Sequence, residues 1–250
     1  MNNLLSTAVT AARVAGQAIM EVYRQPFEVY TKEDDSPVTQ ADLRASNIIK
    51  ELLRETGLPF VSEEDLPPDR SGFGRYWLVD PLDGTAEFVK RNGEFTVNIA
   101  LMENKRPVLG VIYAPTLDRI WTTENGKRKT ENSPFSVYRS PFTVLVSRSH
   151  RTPEVDAYID HMLRPVHPDL VIDTQGSSLK FARLVEGTAD VYVCYSKTKE
   201  WDTAAADAIL TAAGGMVLRI SDGLPLEYDK KDYPNPPFVA WAPGRVRSEE

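Results

Sequence analysis

The sequence is poor in the residues that build covalent frameworks or soft-metal sites. It has one cysteine, Cys194, among 250 residues, and three histidines. A lone thiol excludes an intramolecular disulfide and a cysteine-rich zinc site, and it suits a reducing compartment. Positive charge is also short: 29 Lys and Arg stand against 36 Asp and Glu, a formal net charge of −7. Sequence-independent nucleic-acid binding runs on basic surface, so no nucleic-acid partner is expected. An anionic substrate would have to be attracted by something other than net charge, and bound cations are the obvious means. Long apolar runs are missing as well. Leu4, Leu5, Ala8, Val9, Ala12, Ala15, Ile19 and Val22 recur at helical spacing with polar residues between them. That pattern predicts an amphipathic helix rather than a leader peptide or a membrane span. The expectation is a cytoplasmic protein.

What is present is ordinary globular composition, 42% hydrophobic and 26% charged, enough for one large domain or two closely packed lobes. After the first helix, residues 32–39 read as a polar loop. A second helix is predicted over 40–56, capped by Thr39 and carrying Asp42 in its first turn. Short strands over 58–62 and 76–79 each deliver the chain into an acidic segment. Residues 94–101, 107–113 and 119–123 read as a meander. The aperiodic stretch 124–141 marks a lobe boundary, giving an α+β lobe over 1–138 and an α/β lobe over 139–250. The second lobe is predicted to hold strands at 142–147, 171–172 and 190–195. Its helices are predicted over 153–163 and 178–186, with an alanine-rich helix capped by Asp202 and ended by Gly214-Gly215.

The densest chemical signal is Val79-Asp80-Pro81-Leu82-Asp83-Gly84-Thr85, directly after an apolar strand. Two carboxylates at a strand end supply the hard oxygen ligands that divalent cations take. A glycine turn into a helix offers amide N–H groups at Gly84 and Thr85 to a phosphate. The plain alternative is an Asp-Gly turn facing solvent. Three further acids bear on the choice: Glu63 in Ser62-Glu63-Glu64-Asp65, Asp42, and Asp202 after Trp201. Singly, Asp42 and Asp202 read as helix caps and Glu63 as a surface acid. Together the acids form the scattered carboxylate set of a multi-cation site.

This set resembles the magnesium-dependent, lithium-inhibited phosphatase superfamily that contains inositol monophosphatase, and the likeness runs over nearly the whole chain. Within it, residues 32–42, 62–65 with Pro67-Pro68, 76–101, 147–150 and 176–181 are most similar to the bacterial 3′(2′),5′-bisphosphate nucleotidases. The resemblance implies a layered α-β-α-β-α sandwich of the sugar-phosphatase type and a small-molecule phosphate substrate. It implies two or three Mg²⁺ per site and a monomer or homodimer. Glu63, Asp80 and the Leu82 carbonyl would hold one Mg²⁺, and Asp80, Asp83 and Asp202 a second. Asp42 and Thr85, with Glu63 adjacent, would orient and deprotonate the attacking water. The Gly84 and Thr85 amides would bind the scissile phosphate, and His150, Ser177 and Lys180 would contact the nucleotide.

His150 and Lys180 read equally well as a polar strand-end residue and a solvated helix residue. Two departures stand out. Relatives usually carry arginine where this chain has Cys194, and a glycine-rich hairpin turn where it has Gly126-Lys127-Arg128-Lys129. Cys194 is therefore either a lost phosphate contact, for which Lys197 substitutes in part, or a small buried residue at a strand end. Inositol monophosphate or another polyol phosphate is the alternative substrate. A non-catalytic protein on the same scaffold is the reading from a different class.

Overall fold

Helix α1 (Asn2–Tyr23) buries Leu5, Ala8, Ala12, Ala15, Ile19 and Val22 along one stripe, as its spacing predicts. The computed structural model describes residues 2–31, 37–67, 69–70, 72–124 and 141–245. The 138/139 lobe boundary, Pro68 and the Gly126–Lys129 segment lie outside the described residues. The predicted loop over 32–39 is corrected at its end: β1 (Val29–Thr31) and β2 (Pro37–Thr39) pair antiparallel. Helix α2 (Gln40–Arg54) follows, and extended Thr39 is its N-cap. The Thr39 hydroxyl accepts from Ala41 N at 3.1 Å while Asp42 Oδ2 accepts from Thr39 N at 2.8 Å. This reciprocal pairing satisfies amides that the first helical turn otherwise leaves open.

The first sheet comprises β3 (Phe60–Ser62), β4 (Arg75–Asp83), β5 (Thr96–Glu103), β6 (Arg106–Ala114) and β7 (Arg119–Thr122), in that spatial order. β3 lies parallel to β4, and the rest form an antiparallel meander. Short helix α3 (Thr85–Val89) sits between β4 and β5.

The second sheet has the order β11-β12-β10-β8-β9, built from β8 (Thr143–Ser147), β9 (Val171–Gln175), β10 (Val191–Cys194), β11 (Met216–Arg219) and β12 (Phe238–Trp241). β8 is parallel to β9 and β10, and β12 is antiparallel to β10 and β11. The sequence reading missed β11 and β12. Each is a four-residue run without strong alternation, and only its partner makes it a strand. The helix expected over 153–163 splits into α4 (Pro153–Tyr158) and a π-turn over Ile159–Leu163. Helices α5 (Leu179–Val185) and α6 (Glu200–Ala212) complete the set.

Alternation along the strands sorts the core into layers. Trp77, Val79, Ile99 and Leu101 pack with α1 and α2 on one face of the first sheet. Tyr76, Leu78, Ala100 and Met102 pack with α5, α6 and the inner face of the second sheet. Val144, Val146, Val191 and Val193 pack with α4 and the π-turn on its outer face. The result is the expected α-β-α-β-α sandwich, with an apolar cluster at each level. Gly110 on β6 lets α6 approach, because a Cβ there would lie 2.1 Å from the Ala205 carbonyl oxygen. Among the described residues no helix is long and apolar enough to cross a membrane.

Candidate active site

The site is built where β3 and β4 end and α6 begins. In a regular strand, residues three apart point to opposite faces. Here Asp80 pairs with Asn98 and Asp83 with Thr96, so three steps along β4 match two along β5. The one-residue bulge at Pro81-Leu82 returns both aspartates to the same face. Pro81 suits that place, since it has no N–H to lose from the ladder. Glu63 follows β3 and donates its amide to the Val79 carbonyl at 3.1 Å, which sets it beside the end of β4.

The Asp42 carboxylate is buried and shared between two threonines. Oδ2 accepts from Thr39 N at 2.8 Å and Thr39 Oγ1 at 2.7 Å, and Oδ1 accepts from Thr85 Oγ1 at 3.0 Å. The Leu82 carbonyl oxygen lies 3.2 Å from the same Thr85 hydroxyl. Asp42 is thus a capping residue and a partner of Thr85 at once.

The segment after β9 closes on Asp83. Its Oδ2 accepts from Ser178 N at 2.6 Å, Ser178 Oγ at 2.7 Å and Asn98 Nδ2 at 3.2 Å. Ser178 Oγ also lies 3.2 Å from the Asp202 carbonyl oxygen, so Asp83 and Asp202 sit side by side although 119 positions separate them in the chain. Asp202 is not the N-cap that its sequence suggests. Lys199 caps α6, and Asp202 occupies the third helical position, where Oδ2 accepts from Lys199 N at 2.8 Å. Ser178 and Asn98 are not among the predicted site residues, and Thr39 is predicted only as a helix cap. Gly176-Ser177-Ser178 was the available signal, but only the positive φ of Ser177, 48°, decides which serine reaches Asp83.

Crowded negative charge dominates the electrostatics. Burial pushes Asp80 well above the usual carboxylate range, and Glu63, Asp83, Asp202 and Asp42 push it further. Asp202 is raised in the same way by burial, Asp83 and Glu63, against the Lys199 amide and a hydrogen bond from Asp80. Asp42 is raised by burial, although the Thr39 and Thr85 hydrogen bonds oppose the shift. Such a cluster of hard oxygens is stabilised by cations. Among the described residues no group of three or more His, Cys, Asp or Glu side chains is arranged to hold a metal ion by itself. Hard cations fill their shells with carbonyl, water and phosphate oxygens as well, and the Leu82 carbonyl beside Asp80 and Asp83 is a further oxygen of that kind. The residues fit divalent cations.

Gly84 turns the chain from β4 into α3 with φ 94°, a conformation that penalises any side chain. A Cβ there would also lie 2.9 Å from the Glu94 carbonyl oxygen and 3.2 Å from Ser177 Cβ.

One cleft is lined by Glu63, Asp80, Leu82, Asp83, Gly84, Thr85, His150, Ser177, Lys180 and Asp202, which brings together every predicted site residue except Asp42. Asp42 sits behind Thr85. His150 is exposed at the rim, whereas Lys180 is no solvated helix residue. It is 6% exposed, with Nζ donating to the Ser177 carbonyl at 2.7 Å and lying 5.0 Å from the Tyr192 ring centre. Desolvation lowers its pKa, and Asp83 works against that shift.

Cys194 does not line this cleft. It is 2% exposed within the central apolar cluster, with Sγ 3.4 Å from Ser196 Oγ, and burial raises its thiol pKa. Lys197, by contrast, is exposed and lines the cleft. Cys194→Arg is therefore expected to overpack the core and bury a charge, lowering the melting temperature by about 5 °C or more. Thermal melts beside bisphosphate kinetics check this; an unchanged melt with a lower KM would contradict it.

Fold and carboxylate cluster together define a phosphate-handling α+β sandwich, and the comparisons with known proteins agree. Residues 1–247 match the inositol monophosphatase family, and the chain belongs to it. Among curated relatives, it is similar to the 3′(2′),5′-bisphosphate nucleotidase CysQ of Salmonella typhimurium, with 44% identity over 94% of this chain and 98% of the relative. The Shigella flexneri protein of the same name is 42% identical over the same shares. Among solved structures, CysQ from Bacteroides thetaiotaomicron superposes with a TM-score of 0.84 at 38% identity, covering 98% of each chain. The Thermotoga maritima IMPase gives 0.76 at 25% identity, covering 98% of this chain and 94% of that one.

Proposed function

We propose that this protein is a metal-dependent 3′(2′),5′-bisphosphate nucleotidase that hydrolyses the 3′-phosphate of adenosine 3′,5′-bisphosphate to AMP and phosphate in the cytoplasm. The observation that carries the chemistry is the Thr85–Asp42 hydrogen bond beside the Gly84 turn. The substrate rests on full-length likeness to nucleotidases at 42–44% identity. Glu63, Asp80 and the Leu82 carbonyl would hold one Mg²⁺, and Asp80, Asp83 and Asp202 another. Bound cations supply charge neutralisation for phosphoryl transfer.

The chain's own groups do the rest. Thr85 donates its hydroxyl proton to Asp42, which leaves the Oγ1 lone pairs to accept a proton from water held against the phosphorus. Asp42 is the final acceptor, and its raised pKa makes it a better base than a free carboxylate. Amides at Gly84 and Thr85 bind the scissile phosphate. Ser177, Lys180, His150 and Lys197 line the same cleft, which supports their contacting the remainder of the nucleotide. Inositol phosphates are the lesser reading, because Cys194, the residue that favoured them, lies in the core rather than the cleft.

Phosphate release from adenosine 3′,5′-bisphosphate and inositol 1-phosphate, measured in parallel while Mg²⁺ is varied, tests this. The expected result is a kcat/KM at least about tenfold higher for the bisphosphate, a difference of roughly 1.4 kcal/mol in transition-state binding. A preference for inositol 1-phosphate would overturn the substrate, and turnover in excess chelator would overturn the metal dependence.

A further inference from the structure

A second constellation of buried charge lies behind the cleft and lines no part of it. Arg70 is 7% exposed and Glu200 is fully buried. One Arg70 terminal nitrogen lies 2.9 Å from Glu200 Oε2 and 3.3 Å from the Tyr76 hydroxyl. The other donates to the Lys230 carbonyl, and Nε lies 3.5 Å from Asp229 Oδ1. The guanidinium stacks 4.0 Å from the centre of the Tyr233 ring. Glu200 accepts from Lys230 N at 2.8 Å and Asp229 N at 3.2 Å, and Lys230 Nζ lies 2.8 Å from its Oε1. Its own amide donates to the Tyr233 carbonyl at 3.0 Å. Tyr233, held at φ 62°, in turn packs 5.1 Å from the Trp201 ring.

The positions of these residues give the network its consequence. Arg70 lies in the β3–β4 connection, seven residues after Glu63. Glu200 is the first residue of α6, two before Asp202. The ion pair therefore ties the segment that presents Glu63 to the helix end that presents Asp202. Those two carboxylates repel each other, and both raise the charge burden on Asp80. Stability alone explains the pair poorly: buried ion pairs return little over apolar residues of the same volume, because desolvation consumes most of the attraction. Their better-attested use is to fix one arrangement among alternatives. Outer residues that orient metal ligands commonly matter nearly as much as the ligands themselves.

We infer that Arg70 and Glu200 are positioning residues that hold Glu63 and Asp202 in register for divalent-cation binding across the two halves of the cleft. The inference rests on the reading of Glu63 and Asp202 as metal ligands. Arg70→Met is expected to weaken Mg²⁺ binding to the substrate-free protein by about 10- to 100-fold. KM for the bisphosphate at saturating Mg²⁺ should stay near the wild-type value. Arg70→Lys, which keeps the charge but not the fork, should recover part of the loss.

The test is isothermal titration of Mg²⁺ into wild type, both Arg70 variants, Arg70→Met/Glu200→Met and Asp202→Asn, with a melt of each metal-free protein. The double variant removes both of the most deeply buried charges at once and leaves only Asp229 and Lys230, which are part-exposed and opposite in sign. Its melting temperature should therefore recover part of the loss while its Mg²⁺ affinity stays low. That contrast keeps the test valid where Arg70→Met alone folds poorly. Wild-type Mg²⁺ affinity in either Met variant, while Asp202→Asn loses it, would overturn the inference and leave the ligand assignment standing. Wild-type affinity in Asp202→Asn would overturn the ligand assignment, and the inference with it.

Discussion

Asp80→Asn is expected to lower phosphate release at saturating Mg²⁺ by at least about 10³-fold, roughly 4 kcal/mol of transition-state stabilisation, while leaving the fold intact. Asp80 lies between the other acids, belongs to both proposed cation sites, and fills no apolar gap. Asparagine matches its volume and can still accept from the Leu82 amide, a bond of 3.1 Å in the native chain. It also removes one charge from a buried cluster in which Glu63, Asp83, Asp202 and Asp42 all act against ionisation of Asp80. The metal-free variant should therefore melt at or above the wild-type temperature, because the uncompensated negative charge is smaller. Mg²⁺ should raise the melting temperature of wild type, since a ligand of the native state stabilises it by mass action, and should barely move the variant. Two measurements decide the matter: initial rates across a Mg²⁺ series, and melts with and without Mg²⁺. Activity above a few per cent of wild type, or an undiminished Mg²⁺ shift, would contradict the assignment of Asp80 as ligand.

Thr85→Ala and Asp42→Asn are each expected to lower kcat by about 10²–10⁴-fold, the usual range for general-base work, with KM little changed. The two residues share one hydrogen bond, from Thr85 Oγ1 to Asp42 Oδ1 at 3.0 Å. A relay broken at either point is broken, so the double variant should be no slower than the worse single one. Stability separates the pair. Thr85→Ala removes a half-buried hydroxyl at the start of α3 and should cost little. Asp42→Asn also disturbs the Thr39 cap, where Oδ2 accepts from both the amide and the hydroxyl of Thr39, and should cost about 1 kcal/mol. If the kcat losses instead multiply in the double variant, Asp42 is a capping residue alone and the proton goes elsewhere.

What the sequence alone determined about this protein was local or motif-borne. The stripe on α1, the Thr39 cap of α2 and the meander from β5 to β7 are encoded within a few residues of one another. Periodicity and capping chemistry therefore reveal them without reference to the rest of the chain. The run from Val79 to Thr85 predicts a cation-and-phosphate site because acids, a proline and a glycine turn stand together after an apolar strand.

The tertiary structure decided everything that depends on a distant partner. The bulge that turns Asp80 and Asp83 to one face exists only in the register of β4 against β5. Asp202 taken singly reads as an ordinary cap, and only the chain's resemblance to a known family pairs it with Asp83; α6, admitted by Gly110, sets the two side by side with Ser178 between them. Lys180 reads in sequence equally as a substrate contact or a solvated helix residue; it is buried in the cleft wall against Tyr192 of β10. Cys194 is open in sequence to two readings, a lost substrate contact or a small buried residue at a strand end, and the structure selects the second, because strand β10 turns that position inward. β11 and β12 are strands only because β10 offers an edge. In each case the residue itself is compatible with several environments, and the choice among them is made by packing against segments far away in the chain, which no local pattern records.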